Sequence, residues 1–284
     1  MTRIRESVVA ALLAAGAALM LLPLVVTLTN SVMTEEEIGI NYDAIGSTAE
    51  AGAYANLKLV PDMVSLAQYA VVLLDKSQFL TMFWNSVALV VPIVAGQTLV
   101  GAMAAFAFAK LRFPGRERLF LVYLITMLMP FQVTLVPNYL AMERLGLLDT
   151  RWAIIWPGVF AAFGVFLLRQ FMLHIPKAYV EAAQIDGASY AYIFARIIVP
   201  MTAPGIAALS ILAFVDYWNM VEQPLIFIRD AYKLPLSIYL ANVNEGDRGV
   251  AFAASVLYMA PMIFVFRYGE NELIEGIQLS GVKG

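Results

Sequence analysis

The chain has 284 residues, with 18 Lys/Arg, 21 Asp/Glu, a formal net charge of -3 and 61% hydrophobic side chains. Charged residues make up 14%, against about a quarter in soluble domains, so a water-coated globule is excluded; so is disorder, which needs low hydrophobicity and high net charge. There is no basic excess for nucleic acid, no cysteine for a disulfide, a thiolate zinc site or a nucleophile, and only His174 toward a histidine metal centre.

Six stretches of at least 17 residues carry no Asp, Glu, Lys or Arg: Ser7–Thr34, Ser77–Ala109, Leu119–Met142, Trp152–Leu168, Ile197–Val215 and Gly249–Phe266. A bilayer core of about 30 Å is spanned by about 20 mainly apolar residues. The spacing predicts an all-α polytopic membrane protein, one transmembrane domain over 1–284, with six helices near 8–29, 84–109, 119–141, 152–173, 200–222 and 250–267.

The first helix follows Arg3 and Arg5, as a secretory signal would. Its apolar stretch is longer than the roughly 7–15 residues of a signal and runs into Asn30-Ser31-Val32-Met33 rather than a small-x-small cleavage site, so it is expected to remain as an anchor. An inside N-terminus puts eleven Lys/Arg on the inner side against seven outside, the positive-inside bias, and both termini are expected in the cytoplasm.

Residues 30–83 form a long outer loop, acidic at Glu35, Glu36, Glu37, Asp43 and Glu50, with an irregular middle and an amphipathic stretch, 63–80, fit to lie along the interface. It is either a solvated cap or a docking surface for an extracytoplasmic partner. Gly96 and Gly101 in the second helix make no G-x-x-x-G and indicate only small-residue packing. Lys110, Arg112, Arg116 and Arg118 form a basic loop suited to orientation and lipid contact. In the third helix Gln132 and Asn138 lie beside Pro130 and Pro137, as path residues or as inter-helix hydrogen-bonding groups. Arg169 is expected to snorkel to the headgroups, and His174 to sit structurally at the inner helix end.

Residues 174–199 make the second long loop, on the inner side. Pro176 suits a helix start, Lys177–Ile185 are mostly helix formers, and Gly187 stands where a left-handed residue would cap the helix; a second short helix leads back to the membrane. Small residues Ala182, Ala183, Gly187 and Ala188 would let another surface approach closely, so the loop reads as a protrusion made to fit a groove. In the fifth helix Asp216, Asn219 and Gln223 recur on one face, with Glu222 near the outer end and Tyr217 and Trp218 beside them. Intramembrane polar groups mark a translocation path when they face a cavity, and rings beside carboxylates and amides suit sugars. The alternative is an interfacial aromatic anchor with solvated acids at the helix exit.

Glu181-Ala182-Ala183, three residues, Gly187, nine residues, Ile197, one residue and Val199-Pro200 resemble the EAA signature of permease subunits in binding-protein-dependent ABC importers, with Val199 where Leu is usual. Asn85-Ser86, Ile175-Pro176, Ile185–Ser189, Trp218-Asn219, Pro224-Leu225, Leu234-Pro235-Leu236 and Gly281-Val282-Lys283-Gly284 are similar to the carbohydrate class, MalG-like, that includes the maltose and glycerol-3-phosphate permeases. The resemblance weakens over 35–61, an apparent insertion, and at Glu270, Glu272 and Glu275 in the tail.

The resemblance implies a type I ABC importer permease in a bacterial or archaeal inner membrane, not an enzyme. It implies a second, MalF-like permease chain, two cytoplasmic ABC ATPases that bind ATP and Mg, and an extracytoplasmic solute-binding protein delivering a sugar, oligosaccharide or related polyol or glycerol phosphate. No cofactor is expected in this chain, which has no G-x-x-x-x-G-K-[ST] phosphate loop. Carried over, the loop is the coupling helix: Glu181 makes a charged ATPase contact, Ala182 and Ala183 form the close-packed face, and Asp186 and Gly187 the turn. Asp216, Trp218, Asn219, Glu222 and Gln132 are the candidates for the substrate path. An ion-gradient-driven secondary transporter is the rival; it would need ionisable residues in several spans and repeated broken helices. A membrane enzyme would need metal-ligand spacing or a nucleophile–base pair, and neither appears.

Overall fold

The computed structural model describes residues 2–42, 56–241 and 248–281, with side chains placed in 6–42, 56–240 and 248–270. Part of the expected insertion, 43–55, lies outside the described residues, as do Val282-Lys283-Gly284 and the side chains of Glu272 and Glu275. All regular structure among the described residues is helical: α1 Thr2–Asn30, α2 Glu35–Tyr42, α3 Ala67–Ala70 running into a π turn, α4 Ser77–Lys110, α5 Arg116–Met127, α6 Phe131–Arg144, α7 Trp152–Val159, α8 Ala162–His174, α9 Ala178–Ile185, α10 Tyr190–Ile193, α11 Val199–Met201, α12 Ala203–Trp218, α13 Glu222–Phe227, α14 Leu236–Ala241 and α15 Arg248–Gly281.

Four stretches are long and apolar enough to cross a membrane: Glu6–Asn30, Ser77–Lys110, Trp152–His174 and Arg248–Glu270. Two further candidates are bent pairs, α5 with α6 at 100° and Tyr190–Met201 with α12 at 75°, so the described residues hold four spans, or six if each pair counts once. The helix expected over 119–141 is therefore broken. Pro130 takes an extended ψ of 148°, lacks the N–H that would continue the ladder, and disfavours a helical residue before it. The second break falls at Thr202, between Pro200 and Pro204, where the Thr202 hydroxyl donates to the Ile198 carbonyl at 2.7 Å. The helix expected over 200–222 stops at Trp218, and α13 starts anew at Glu222.

The expected single domain divides into two compact units, residues 1–81 with 238–261, and 82–237 with 262–284. In the first, none of the most apolar window of α1 is buried within the chain; such a helix needs lipid or another subunit around it. Glu35, Glu36 and Glu37 occupy the first turn of α2, where the helix dipole favours carboxylates. The Glu37 carboxylate, 8% exposed, accepts from the Asp62 amide at 2.8 Å and from Lys58 Nζ at 2.9 Å, and Lys58 also pairs with Asp62. These contacts hold Glu37 below, and Lys58 above, their ordinary pKa values; the hydrogen bond between their side chains is the leading cause for Glu37, and that with Asp62 for Lys58. A Cβ on Gly249 would collide with the Glu35 carboxylate and the Gln68 amide. The stretch expected as an interfacial helix, 63–80, is helical only from Ala67 and passes through the π turn into α4.

The second unit is built on α4. Its small residues pack against α8: a Cβ on Gly101 would lie 3.3 Å from the Gly164 carbonyl carbon, so only glycine permits this helix separation. One core gathers Ala102, Phe106 and Ala109 of α4 with Leu168, Met172, Val180, Ile193 and Leu209. Another joins Leu89 and Ile93 to α7, Met220 and Phe227. Arg169 does not snorkel: it is 9% exposed, 3.3 Å from the Glu117 carboxylate and 3.9 Å over the Phe120 ring. A charge-assisted partner and an aromatic face replace the headgroup water.

At the opposite end of α4 the motif residues form a clasp. Asn85 Nδ2 donates to the carbonyls of Tyr232 and Leu234 at 2.7 and 3.0 Å, and its Oδ1 accepts from Arg151 at 2.7 Å. Ser86 Oγ accepts from the Leu236 amide at 2.8 Å, and Ser237 donates to the Met220 carbonyl. Asp149, at φ 60°, closes the other side: its carboxylate accepts from the amides of Arg229 and Asp230 and from Lys233 Nζ, all at 3.0–3.1 Å. Asn85 is 4% exposed, so Asn85→Ala strands two carbonyls and a guanidinium; a loss of about 1–3 kcal/mol is expected as a lower thermal midpoint of the purified protein.

The Asp149 carboxyl is held below its ordinary pKa, first by the Asp230 amide, then by the Lys233 ammonium and the Arg229 amide. A depressed carboxyl contributes stability that is fully present above its unfolded value, about 3.9, and is lost as pH falls through the lower folded value. Comparing thermal midpoints against pH, the wild type is expected to lose its advantage over Asp149→Asn on acidification below about pH 4.

Candidate functional site

Pro176 begins the second long loop, with Tyr179 N–H donating to its carbonyl at 3.3 Å, and α9 follows for two turns. Gly187 has φ +79°. Its N–H bonds the Gln184 carbonyl at 3.0 Å, and Ala188 N–H bonds the Ala183 carbonyl at 2.9 Å, the paired bonds of a Schellman cap. Ser189 then caps α10 by accepting from Tyr192 N–H. The returning stretch runs through a π turn, Phe194–Ile198, into α11.

One face of this helix-turn-helix is buried. Val180, Ala183, Ile193 and Ile198 pack with Phe106, Ala109 and Met172, and Lys110 Nζ donates to the Ile175 carbonyl at 2.5 Å. Glu181, Ala182, Gln184, Asp186 and Gly187 are exposed on the other face, while Ala183 faces the core. Ile185, 86% exposed, and the exposed Tyr179 make this outward face apolar. Their signal in the sequence was helical phase, three and two residues from Ala182. Two clefts border the loop, of about 380 Å³ beside Lys110, Lys177, Glu181 and Gln184 and of about 720 Å³ beside Arg112, Arg116, Arg118 and Lys177.

The path candidates are not all alike. Asp216, Asn219, Glu222 and Gln132 are exposed. Because α12 ends at Trp218, Asp216 and Gln223 do not share one helix face as expected; Gln223 belongs to α13. Gln132, in the first turn after the Pro130 break, donates from Nε2 to both Glu222 oxygens at 3.1 and 3.0 Å. Asn219 donates to the Val215 carbonyl at 2.7 Å and to Met262 Sδ, so its amide closes the end of α12. Trp218 is 1% exposed, stacked on Phe214 and edge-on to Phe83; it supports a wall and presents no face. An apolar groove of about 600 Å³ runs beside Val94, Leu99, Phe194, Val199, Ile206 and Phe214.

Gly187 has open space around its Cβ position, so replacement costs only the left-handed conformation, about 1–2 kcal/mol. Gly187→Ala is expected to fray α9 locally, seen as faster amide exchange over Ala183–Ala188, whereas Gly187→Asn retains most of the protection.

Residues 97–270 match the family described as the binding-protein-dependent transport system inner membrane component. The chain is 32% identical over 227 residues to the arabinooligosaccharides transport system permease protein AraQ of Halalkalibacterium halodurans, covering 79% of this chain and 81% of that one. It is 31% identical over 201 residues to the sn-glycerol-3-phosphate transport system permease protein UgpE of Brucella abortus, covering 69% and 71%. Its fold is similar to a chain of a bacterial ABC transporter involved in the import of the acidic polysaccharide alginate, with TM-score 0.81, 26% identity and coverage of 95% and 96%.

Proposed function

We propose that this chain, which belongs to the family of binding-protein-dependent transport system inner membrane components, is the carbohydrate-translocating permease of an ATP-driven importer with six membrane spans. Each bent pair counts as one span, and both termini are cytoplasmic, as is the α9–α10 protrusion. The observation that carries the proposal is the Schellman-capped α9, seated on α4 and α8 through Val180 and Ala183 while Glu181, Ala182 and Ile185 stay exposed. A short rigid helix with one core-locked face transmits force to the spans it rests on.

Two ATPase subunits receive this helix and that of a second permease chain. Closing on ATP, they draw the two protrusions together and open the path outward, where a solute-binding protein releases its sugar; hydrolysis resets it inward. The apolar groove beside Leu99, Phe194 and Phe214 fits the second permease. Glu222, Gln132, Asp216 and Asn219 border the path, and Trp218 braces it. Related systems carry neutral arabinooligosaccharides, glycerol phosphate and acidic alginate, so family membership leaves the charge of the cargo open.

The test uses the complex purified with its ATPase subunits. Glu181→Lys combined with Gly187→Pro is expected to abolish binding-protein-stimulated ATPase activity, with the permease still monodisperse and helical. Full assembly and stimulation in that variant would sink the coupling assignment.

A further inference from the structure

The groups beside the path differ in what they offer a glycan. Glu222 uses both oxygens to accept from one Gln132 nitrogen, and each oxygen retains capacity for a second donor. The Gln132 carbonyl is a further acceptor, and Asp216 makes no hydrogen bond or ion pair with any described residue. All three are exposed. Together they present acceptors and negative charge, which suit hydroxyl donors and oppose carboxylate or phosphate groups.

An anionic cargo would need cations there, and those on the same unit are engaged elsewhere. Lys233 pairs with Asp149 and Asp230, Arg151 donates to Asn85, and Arg229 donates to the Tyr139 hydroxyl. Arg144 makes no printed pair, but it lies twelve residues along α6 from Gln132, about 18 Å at helical rise, nearly two Debye lengths at physiological salt.

We infer that the cargo is an electrically neutral glycan, and that Glu222 and Asp216, with the Gln132 amide, reject its anionic counterparts. This rests on the path assignment above. Selection by like-charge opposition needs no cation and no cofactor, only a carboxylate that the cargo must pass.

The experiment measures binding to the complex of both permeases and the ATPases in nanodiscs, trapped with ATP and vanadate and without the solute-binding protein, whose own selectivity would mask the effect. Matched pairs of uronic-acid oligosaccharides and their methyl esters share a backbone and differ in charge. The esters are expected to bind at least about tenfold more tightly, and added salt should narrow the gap. Glu222→Gln, which keeps shape and hydrogen-bonding capacity, is expected to narrow it at low salt by raising affinity for the acids. If the acids bind the wild type as well as the esters, or if Glu222→Gln leaves the ratio unchanged while altering ester affinity, the charge inference fails and the path stands. If Glu222→Gln, Asp216→Asn and Gln132→Ala leave every affinity unchanged, or no glycan binds, the path assignment itself fails.

Discussion

A backbone amide or carbonyl in a bilayer has no water to bond when its helix ends, and each such end costs several kcal/mol if left open. This chain breaks its helices repeatedly, at Pro130, Thr202 and Trp218, so the rest of the structure depends on closing those ends from within. The Thr202 hydroxyl bonds the Ile198 carbonyl, the Asn219 amide the Val215 carbonyl and the Ser237 hydroxyl the Met220 carbonyl. Asn85 takes the two carbonyls of the strap before α14. Polar residues in the apolar half of the chain are thus first of all backbone partners.

That constraint separates the polar residues by role. Asn219 spends its amide on its own helix, whereas Glu222 and Gln132 bond each other across 90 residues of sequence, with their remaining capacity outward. Only groups of the second kind are available to a passing solute. The same economy operates at Arg169, where Glu117 and Phe120 supply from α5 what a headgroup would otherwise supply. The charge is retained because its partners come from the protein, and α5 is tied to α8 as a result.

The protrusion behaves differently because its ends are capped locally. Gly187 and Ser189 close α9 and open α10 within three residues, so its geometry was legible from residue types at fixed offsets. Which face points outward was less so. Ala182 and Ala183 are adjacent and look equivalent, yet one is exposed and the other lies in the core with Val180, since successive helical residues are about 100° apart. The apolar exposure of Ile185 and Tyr179 follows from the same phase.

Length, composition and the spacing of charge-free stretches determined by themselves that the chain is helical and apolar over membrane-length segments, because burial in hydrocarbon is a local requirement on every residue of a span. The motif spacing determined the capped protrusion, because a left-handed glycine and a Ser cap act over one turn. Only the tertiary structure decided where the spans break, that Asn85 and Ser86 clasp residues about 150 positions away, that Trp218 is walled in and that Glu222 meets Gln132. Those contacts join residues far apart in sequence, and their energy comes from partners that no local pattern names.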